Sequence, residues 1–253
     1  MKTNMLLCVV LVAMATVFAC DMGETIGDPK VEVPKITAVP DSDDLKIEGA
    51  KVSYLSNLDL LVFEMKVKGK AGNIYPKAKG NLNGAPVLGY VFPTTLSPED
   101  VGFKGGKGIV ALAVTSHPDF DDTPLWDEDN DANYKNDGKI YHPHWVILTK
   151  DSRVPGGLSV LQFNAGDKKV ILPPTNPKMP MFMDSPGFSV VLQRNTLKVL
   201  VPAQRVNNKK NFKFDAVAAY MQVMKSPKHP MLGVYKVYSV LSGKLTLPYQ
   251  VSK

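Results

Sequence analysis

Short apolar runs separated by prolines and glycines constrain the fold of this chain more than any other feature of its sequence. There are 20 prolines and 19 glycines, most of them between the runs, so long helices are not expected. The runs are rich in β-branched and aromatic residues, which is typical of strands. About ten such runs at regular intervals predict an all-β fold, either an antiparallel sandwich or a barrel. We expect a single-domain antiparallel β-sandwich of the immunoglobulin-like or cupredoxin-like type.

Four segments give this prediction its detail. Residues 108–114 are continuously apolar, which favours a strand that is buried on both faces. Residues 212–224 alternate or run apolar and fit either a long strand or a short helix. Residues 169–172 and 244–247 are predicted to be further short strands.

Residues 1–19 are predicted to be a signal peptide. Lys2 precedes an apolar run that is too short for a membrane-spanning helix, which needs about 20 residues. The tetrapeptide Val-Phe-Ala-Cys at 17–20 resembles a bacterial lipoprotein signal, and the resemblance implies that Cys20 is lipidated. The other cysteine, Cys8, lies inside the signal, so the mature chain has no internal disulfide. We therefore expect an exported protein anchored to a membrane of the cell envelope, in the periplasm or on the outer surface; incorporation of labelled palmitate tests the anchor.

Residues 20–44 are predicted to be a tether in front of a folded domain at 45–253. Pro29, Pro34 and Pro40 alternate here with charged and small residues, and no apolar periodicity persists. Proline at this density favours an extended, polyproline-like chain.

Charge and composition exclude several classes of protein. The chain is 44% hydrophobic and 21% charged, which describes an ordinary globular domain rather than a disordered one. The formal net charge of +6 comes from scattered lysines, without a nucleic-acid-binding motif or a basic block interleaved with aromatics. We therefore expect no nucleic-acid partner.

The strongest chemical signal is an acidic stretch that also contains three of the four histidines. His142 and His144 are two residues apart in a predicted strand, so they project to one face. Pro143 between them donates no backbone hydrogen bond, which places it at a strand edge or a strand start. His117 and Asp119 directly follow the buried run 108–114. If the two strands are neighbours, the predicted ligands of one transition-metal ion are His117, Asp119, His142 and His144.

Two functions are compatible with such a site. In the first, a non-enzymatic metal-binding sandwich uses its ion to stabilise the fold or to present a surface to a ligand. The alternative is a zinc-type hydrolase in which the three histidines hold the ion and leave a position open. A neighbouring carboxylate would then orient a histidine or act as the general base; the candidates are Asp119, Asp121 and Asp122. Because no distinctive catalytic motif is present, we favour the first function.

A calcium site is predicted within the same acidic stretch. Oxygen-bearing side chains alternate there as at the start of an EF-hand loop. The predicted ligands are Asp127, Asp129, Asp131, Asn133 and Asp137. Ala132 replaces the invariant glycine and Gly138 replaces the bidentate glutamate of an EF-hand, so a looser calcium loop is expected. The alternative is a solvated acidic loop without an ion.

Methionines suggest one further metal. Thioethers are soft ligands that suit Cu(I), and the candidates are Met179, Met181, Met183 and Met231. The alternative is that these flexible side chains fill gaps in the core. Calcium is therefore the expected divalent cation, with zinc or copper as alternatives.

Aromatic side chains around the acidic stretch suggest a carbohydrate ligand, because aromatic rings stack on sugars. The candidates are Trp126, Tyr134, Tyr141 and Trp145. The alternative is that those near strands belong to the core.

Overall fold

A computed structural model describes residues 36–123, 127–128, 130–133 and 137–252. The signal peptide and Cys20 lie outside these ranges. Residues Val33–Lys253 form one compact unit. Its strands are β1 Ile47–Leu55, β2 Leu60–Val67, β3 Pro86–Pro93, β4 Ile109–Ser116, β5 His142–Lys150, β6 Leu158–Val160, β7 Met183–Asp184, β8 Ser189–Gln193, β9 Thr196–Pro202, β10 Lys213–Phe214, β11 Val217–Val223, β12 Leu232–Val240 and β13 Tyr249–Gln250. The helical segments of the described chain are single 3-10 turns, at Asp43–Leu45, Pro98–Val101 and Ala203–Val206.

The strands form two main sheets whose neighbours are antiparallel. One sheet has four strands in the order β1-β2-β9-β8. The other has the order β4-β3-β11-β12-β6-β5-β7, and β4 also pairs with β5, so six of its strands close into a barrel. β10 and β13 form a separate pair. The predicted all-β, antiparallel architecture is therefore confirmed, whereas a sandwich of two open sheets is replaced by a sheet packed against a barrel-like closure.

The closure has a local physical cause. The pairing of β11 with β12 shifts register twice, between Ala218 and Ala219 and again between Tyr220 and Met221. Such irregularities bend a strand and increase its twist. The added curvature helps β5 to reach β4 on one side while it pairs with β6 on the other, and a closed sheet has no exposed edge there.

Successive side chains of the barrel strands point to opposite faces of the sheet, so these strands contribute to two separate hydrophobic cores. Leu88, Tyr90 and Phe92 of β3 face outwards and pack with the four-stranded sheet. Val87 and Val91 of the same strand face the inside of the barrel and belong to the second core. All eight residues of β3 are consequently buried.

The core between the sheet and the barrel is centred on aromatic side chains. The Phe63 ring lies 5.5 Å from that of Phe92 and 6.1 Å from that of Trp145, both in edge-to-face geometry. Trp145 and Tyr141 are 1% and 2% exposed, so both belong to this core.

The structure decides one open assignment and corrects two predicted strands. Residues 212–224 contain β10 and β11 rather than a helix. Residues 169–172 contribute only an isolated bridge between Ile171 and Lys104. Residues 244–247 form no strand because Leu245 and Leu247 have left-handed backbones, with φ of 53° and 49°.

The described part of the predicted tether lies against the domain. Ile36, Ala38 and Val39 pack on the core, and the Tyr238 hydroxyl donates to the Val39 carbonyl at 2.7 Å. The packed structure thus begins before residue 45. No helix within the described ranges is long and apolar enough to cross a membrane.

Candidate metal site

The end of β4 and the start of β5 bring the histidines together. The two strands are antiparallel neighbours, with Thr115 opposite His142 and Ala113 opposite His144. His142 and His144 therefore share one side of the sheet, as alternation requires. His117 follows β4 by one residue, at the same end of the barrel. Pro143 is the second residue of β5, before the pairing with β7 begins at Trp145.

Four ligand atoms converge at this end of the barrel. One atom each from His117, Asp122, His142 and His144 lies within 4.8 Å of all the others. The Asp122 Oδ1 atom lies 3.3 Å from the Nε2 atoms of His117 and His142 and 3.5 Å from that of His144. The His117 Nε2 atom lies 3.4 Å from that of His144 and 2.7 Å from that of His142. Ligands held about 2.0–2.1 Å from a tetrahedral ion lie about 3.3–3.4 Å apart, so most of these spacings already suit one ion.

Each histidine ring has a hydrogen-bond partner at Nδ1, the outer nitrogen that points away from the cluster, and this contact orients the Nε2 atom towards the cluster. The His117 Nδ1 atom donates to the Phe120 carbonyl at 2.7 Å, and the His142 Nδ1 atom donates to the Ile140 carbonyl at 2.8 Å. A carbonyl only accepts, so both Nδ1 atoms carry a hydrogen and a neutral ring presents a lone pair at Nε2. The His144 Nδ1 atom lies 3.0 Å from the Ser185 hydroxyl. Such outer partners are usual for metal-bound histidines, whose tautomer they select.

The histidine cluster brings the lone pairs of several Nε2 atoms close together in the protein interior. Two neutral imidazoles whose Nε2 atoms lie 2.7 Å apart repel each other unless a proton or a cation lies between them. The three histidine residues are 2–6% exposed, so water does not relieve this repulsion. The cluster therefore needs a positive charge at its centre.

Burial and Asp122 set the protonation of the group. Burial is the largest influence on the pKa of His144 and lowers it to about 3, which leaves that ring neutral and able to bind a metal. For His117, burial also lowers the pKa, but the Asp122 charge and hydrogen bonds outweigh it and raise the pKa above its ordinary value. Burial would raise the pKa of Asp122, yet the histidine charges and hydrogen bonds hold it well below its usual range. Asp122 is thus an anion directed at the histidines.

Asp122, rather than Asp119, supplies the carboxylate of the cluster. Asp119 Oδ1 instead accepts the backbone N–H groups of Lys79 and Gly80, at 2.7 and 2.5 Å. From the sequence alone, Asp122 was predicted only to orient a histidine or to act as a general base. Its second oxygen, Oδ2, is buried and has no hydrogen-bond partner within the described part of the chain.

Gly138 and Phe120 hold His117 in place. The Phe120 ring stacks on the His117 ring at 4.2 Å with an interplanar angle of 9°, and the His117 N–H donates to the Gly138 carbonyl at 2.7 Å. Gly138 has a φ of +94°, and a Cβ atom there would lie 2.6 Å from the His117 carbonyl oxygen and 2.9 Å from its Nδ1 atom. Any other residue at position 138 would therefore displace the histidine.

The acidic stretch is held largely by its own backbone amides. The Asp127 carboxylate accepts from the N–H groups of residues 131 and 132, and the Glu128 carboxylate accepts from those of residues 139 and 140. Asp137 is 1% exposed and accepts from the Glu128 N–H. The Asp131 carboxylate accepts from the Asn133 N–H at 2.7 Å.

The calcium loop stays a prediction. Asp129, one of its five expected ligands, lies outside the described residues. In the ranges that the structure describes, no second group of three or more histidine, cysteine or acidic side chains converges as the histidine cluster does.

The structure locates some of the aromatic and methionine candidates. Tyr141 and Trp145 are core residues and present no face to a sugar, while Trp126 and Tyr134 lie outside the described residues. The methionines at 179, 181 and 183 line the inside of the barrel.

No protein-family model matches this chain, and comparisons with curated proteins and with solved structures found no match. The site must therefore be interpreted from its own geometry.

A cavity of about 200 Å³ adjoins the histidine cluster inside the barrel. His117, Asp122 and His144 form part of its wall, together with Thr115. The other lining residues are aliphatic side chains, methionines, one proline, one glycine and one phenylalanine, Phe120. The candidate metal site thus lies at the polar end of an otherwise apolar space.

Proposed function

We propose that this chain is an exported, lipid-anchored binding protein that holds one divalent transition-metal ion, with zinc as the favoured ion. The observation that supports this most strongly is the convergence of three buried Nε2 atoms whose outer nitrogens are already occupied. A buried anion, Asp122, completes the group. Nitrogen donors of this type suit zinc and its transition-metal neighbours, whereas calcium and magnesium prefer oxygen ligands.

A binding role is better supported than hydrolysis. A catalytic zinc ion usually has three protein ligands and one open position for water. The four side chains of this cluster are spaced to fill a tetrahedral shell, which is typical of a site that retains its ion. Asp122 lies among the ligand atoms, where it is placed to bind the ion rather than to act as a free base.

Export and the lipid anchor remain proposals that rest on the N-terminal sequence. The resemblance of residues 17–20 to a lipoprotein signal supports both. Residues 20–35 separate Cys20 from the described fold and would serve as the link between the lipid and the domain.

Zinc titration of two aspartate variants tests the metal site. Isothermal titration of the mature protein is expected to give one tight zinc site. Asp122→Asn replaces the anionic ligand by a neutral amide and should weaken this site by about 100-fold or more, the loss expected for one ligand of four. Asp119→Asn is the matched control, because Asp119 bonds the backbone of residues 79 and 80, and it should leave zinc affinity unchanged. Equal affinities for both variants would contradict the proposed ligand set.

A further inference from the structure

The cavity beside the histidine cluster has its polar groups at one end only. Its polar lining side chains are Thr115, His117, Asp122 and His144, and the remainder of the wall is apolar. Thr115 and His144 lie on β4 and β5 at the end where His117 and Asp122 follow. A ligand that matches this wall has one polar head and an aliphatic remainder.

The far end of the cavity is apolar and reaches the surface. Val217 is the first residue of β11, and it pairs with Val240 of β12 and with Val91 of β3. It therefore lies at the other end of β11 from Met221. Val217 and Val240 line the cavity together with Val237, which is 41% exposed. A linear chain can therefore extend from the histidines towards this opening.

A buried hydroxyl at the polar end lacks a partner. Thr115 is 4% exposed, and its Oγ1 atom has no hydrogen-bond partner among the described residues. A buried hydroxyl without a partner costs free energy, so the site is completed by a group that bonds it. Thr115 is one of the residues that line the cavity, at its polar end.

Charge decides the chemistry of the head group. A divalent ion with neutral imidazoles and the Asp122 carboxylate leaves one positive charge at the polar end. A net charge in an apolar enclosure is unfavourable unless it is paired. Asp121 and Asp137 do not line the cavity. Their carboxylates therefore do not neutralise this positive charge on the cavity side. A monoanionic head would neutralise it and accept a hydrogen bond from Thr115.

We infer that the barrel binds an aliphatic monocarboxylate, with its carboxylate at the metal end and its chain in the apolar cavity. The inference rests on the proposed metal function, because the ion supplies the charge. An engineered apolar cavity of about 150 Å³ binds benzene. The cavity of about 200 Å³ therefore takes about eight non-hydrogen atoms, close to the ten of octanoate. Four lining methionines (Met179, Met181, Met183 and Met221) give the wall flexibility.

The test compares octanoate with octanol on the full-length mature protein. Zinc binding is measured first, without either ligand. Zinc-loaded protein should then bind octanoate at one site, at least about tenfold more tightly than octanol, which has the same chain but no charge. Protein treated with a chelator should lose this preference.

Two variants test the binding of the ligand's carboxylate and the binding of its alkyl chain separately. Thr115→Val removes the hydroxyl at nearly constant volume and should weaken octanoate binding about tenfold, while Thr115→Ser should restore it. Val217→Phe fills the far end of the cavity and should abolish the binding of both ligands without affecting zinc. Val191→Phe, at a 44% exposed position on the other sheet, is its control.

The outcomes distinguish the two proposals. Zinc binding without a preference for octanoate, or unchanged octanoate binding in Val217→Phe, overturns this inference and leaves the metal site intact. Failure to bind zinc at the start overturns the proposed function and removes the charge on which the carboxylate depends.

Discussion

Replacing His144 by alanine is expected to weaken zinc binding by about two to three powers of ten. Structural zinc sites bind their ion with about 10–16 kcal/mol, so each of four ligands accounts for about 2.5–4 kcal/mol. His144 is 2% exposed, and its burial keeps the ring neutral, so no proton competes with the ion at this nitrogen near pH 7. Competition with a chromophoric chelator measures the affinity.

His229→Ala is the matched control for this substitution. His229 is the one histidine outside the cluster, and its removal should leave zinc affinity unchanged. Circular dichroism of both variants would show whether the fold is retained. A folded His144→Ala protein that binds zinc as tightly as the wild type would contradict the ligand assignment.

Removing the metal is expected to lower the melting temperature by about 8–16 °C. An ion at a free concentration 1,000 times its Kd stabilises the native state by about 4.1 kcal/mol. For a domain of about 150–250 residues, each kcal/mol shifts the melting temperature by about 2–4 °C. The stabilisation has a local cause, because the ion relieves the repulsion between the Nε2 atoms of His117 and His142.

Thermal unfolding in excess zinc and in chelator measures this shift. His144→Ala should show no more than about a third of it, since a Kd weakened by two to three powers of ten leaves about 0.4–1.4 kcal/mol of stabilisation at the same zinc concentration. Equal melting temperatures with zinc and with chelator in the wild type would show that the cluster does not bind the ion in the native state.

The local pattern of the sequence predicted much of the site. The spacing of His142 and His144 showed that they share a face, because side chains alternate along a strand. Pro143 indicated a strand start, where the structure places it. The pairing of β4 with β5 entered only as a condition, since alternation does not reveal which strands are neighbours.

The carboxylate of the cluster was harder to predict. Asp119 and Asp122 lie in the same acidic stretch and differ only in how the loop turns. Asp119 is withdrawn by the backbone amides of residues 79 and 80, which are distant in sequence. No local pattern records such a contact.

Closure of the barrel was missed for a related reason. Strands in a sandwich and in a barrel share the same period of two. The better signal was burial on both faces, which the sequence showed for residues 108–114 and the structure shows for β3 and β4. A sheet packed on one side alone leaves its other face in water, so two apolar faces indicate an enclosed interior.

Anomalous diffraction from crystals of the zinc-loaded protein, recorded on both sides of the zinc absorption edge, tests the central claim most directly. We expect one strong peak about 2.0–2.2 Å from the Nε2 atoms of His117, His142 and His144 and from an Asp122 oxygen. A map with no peak among the three rings, or with zinc only at the acidic residues of 127–137, would contradict the account.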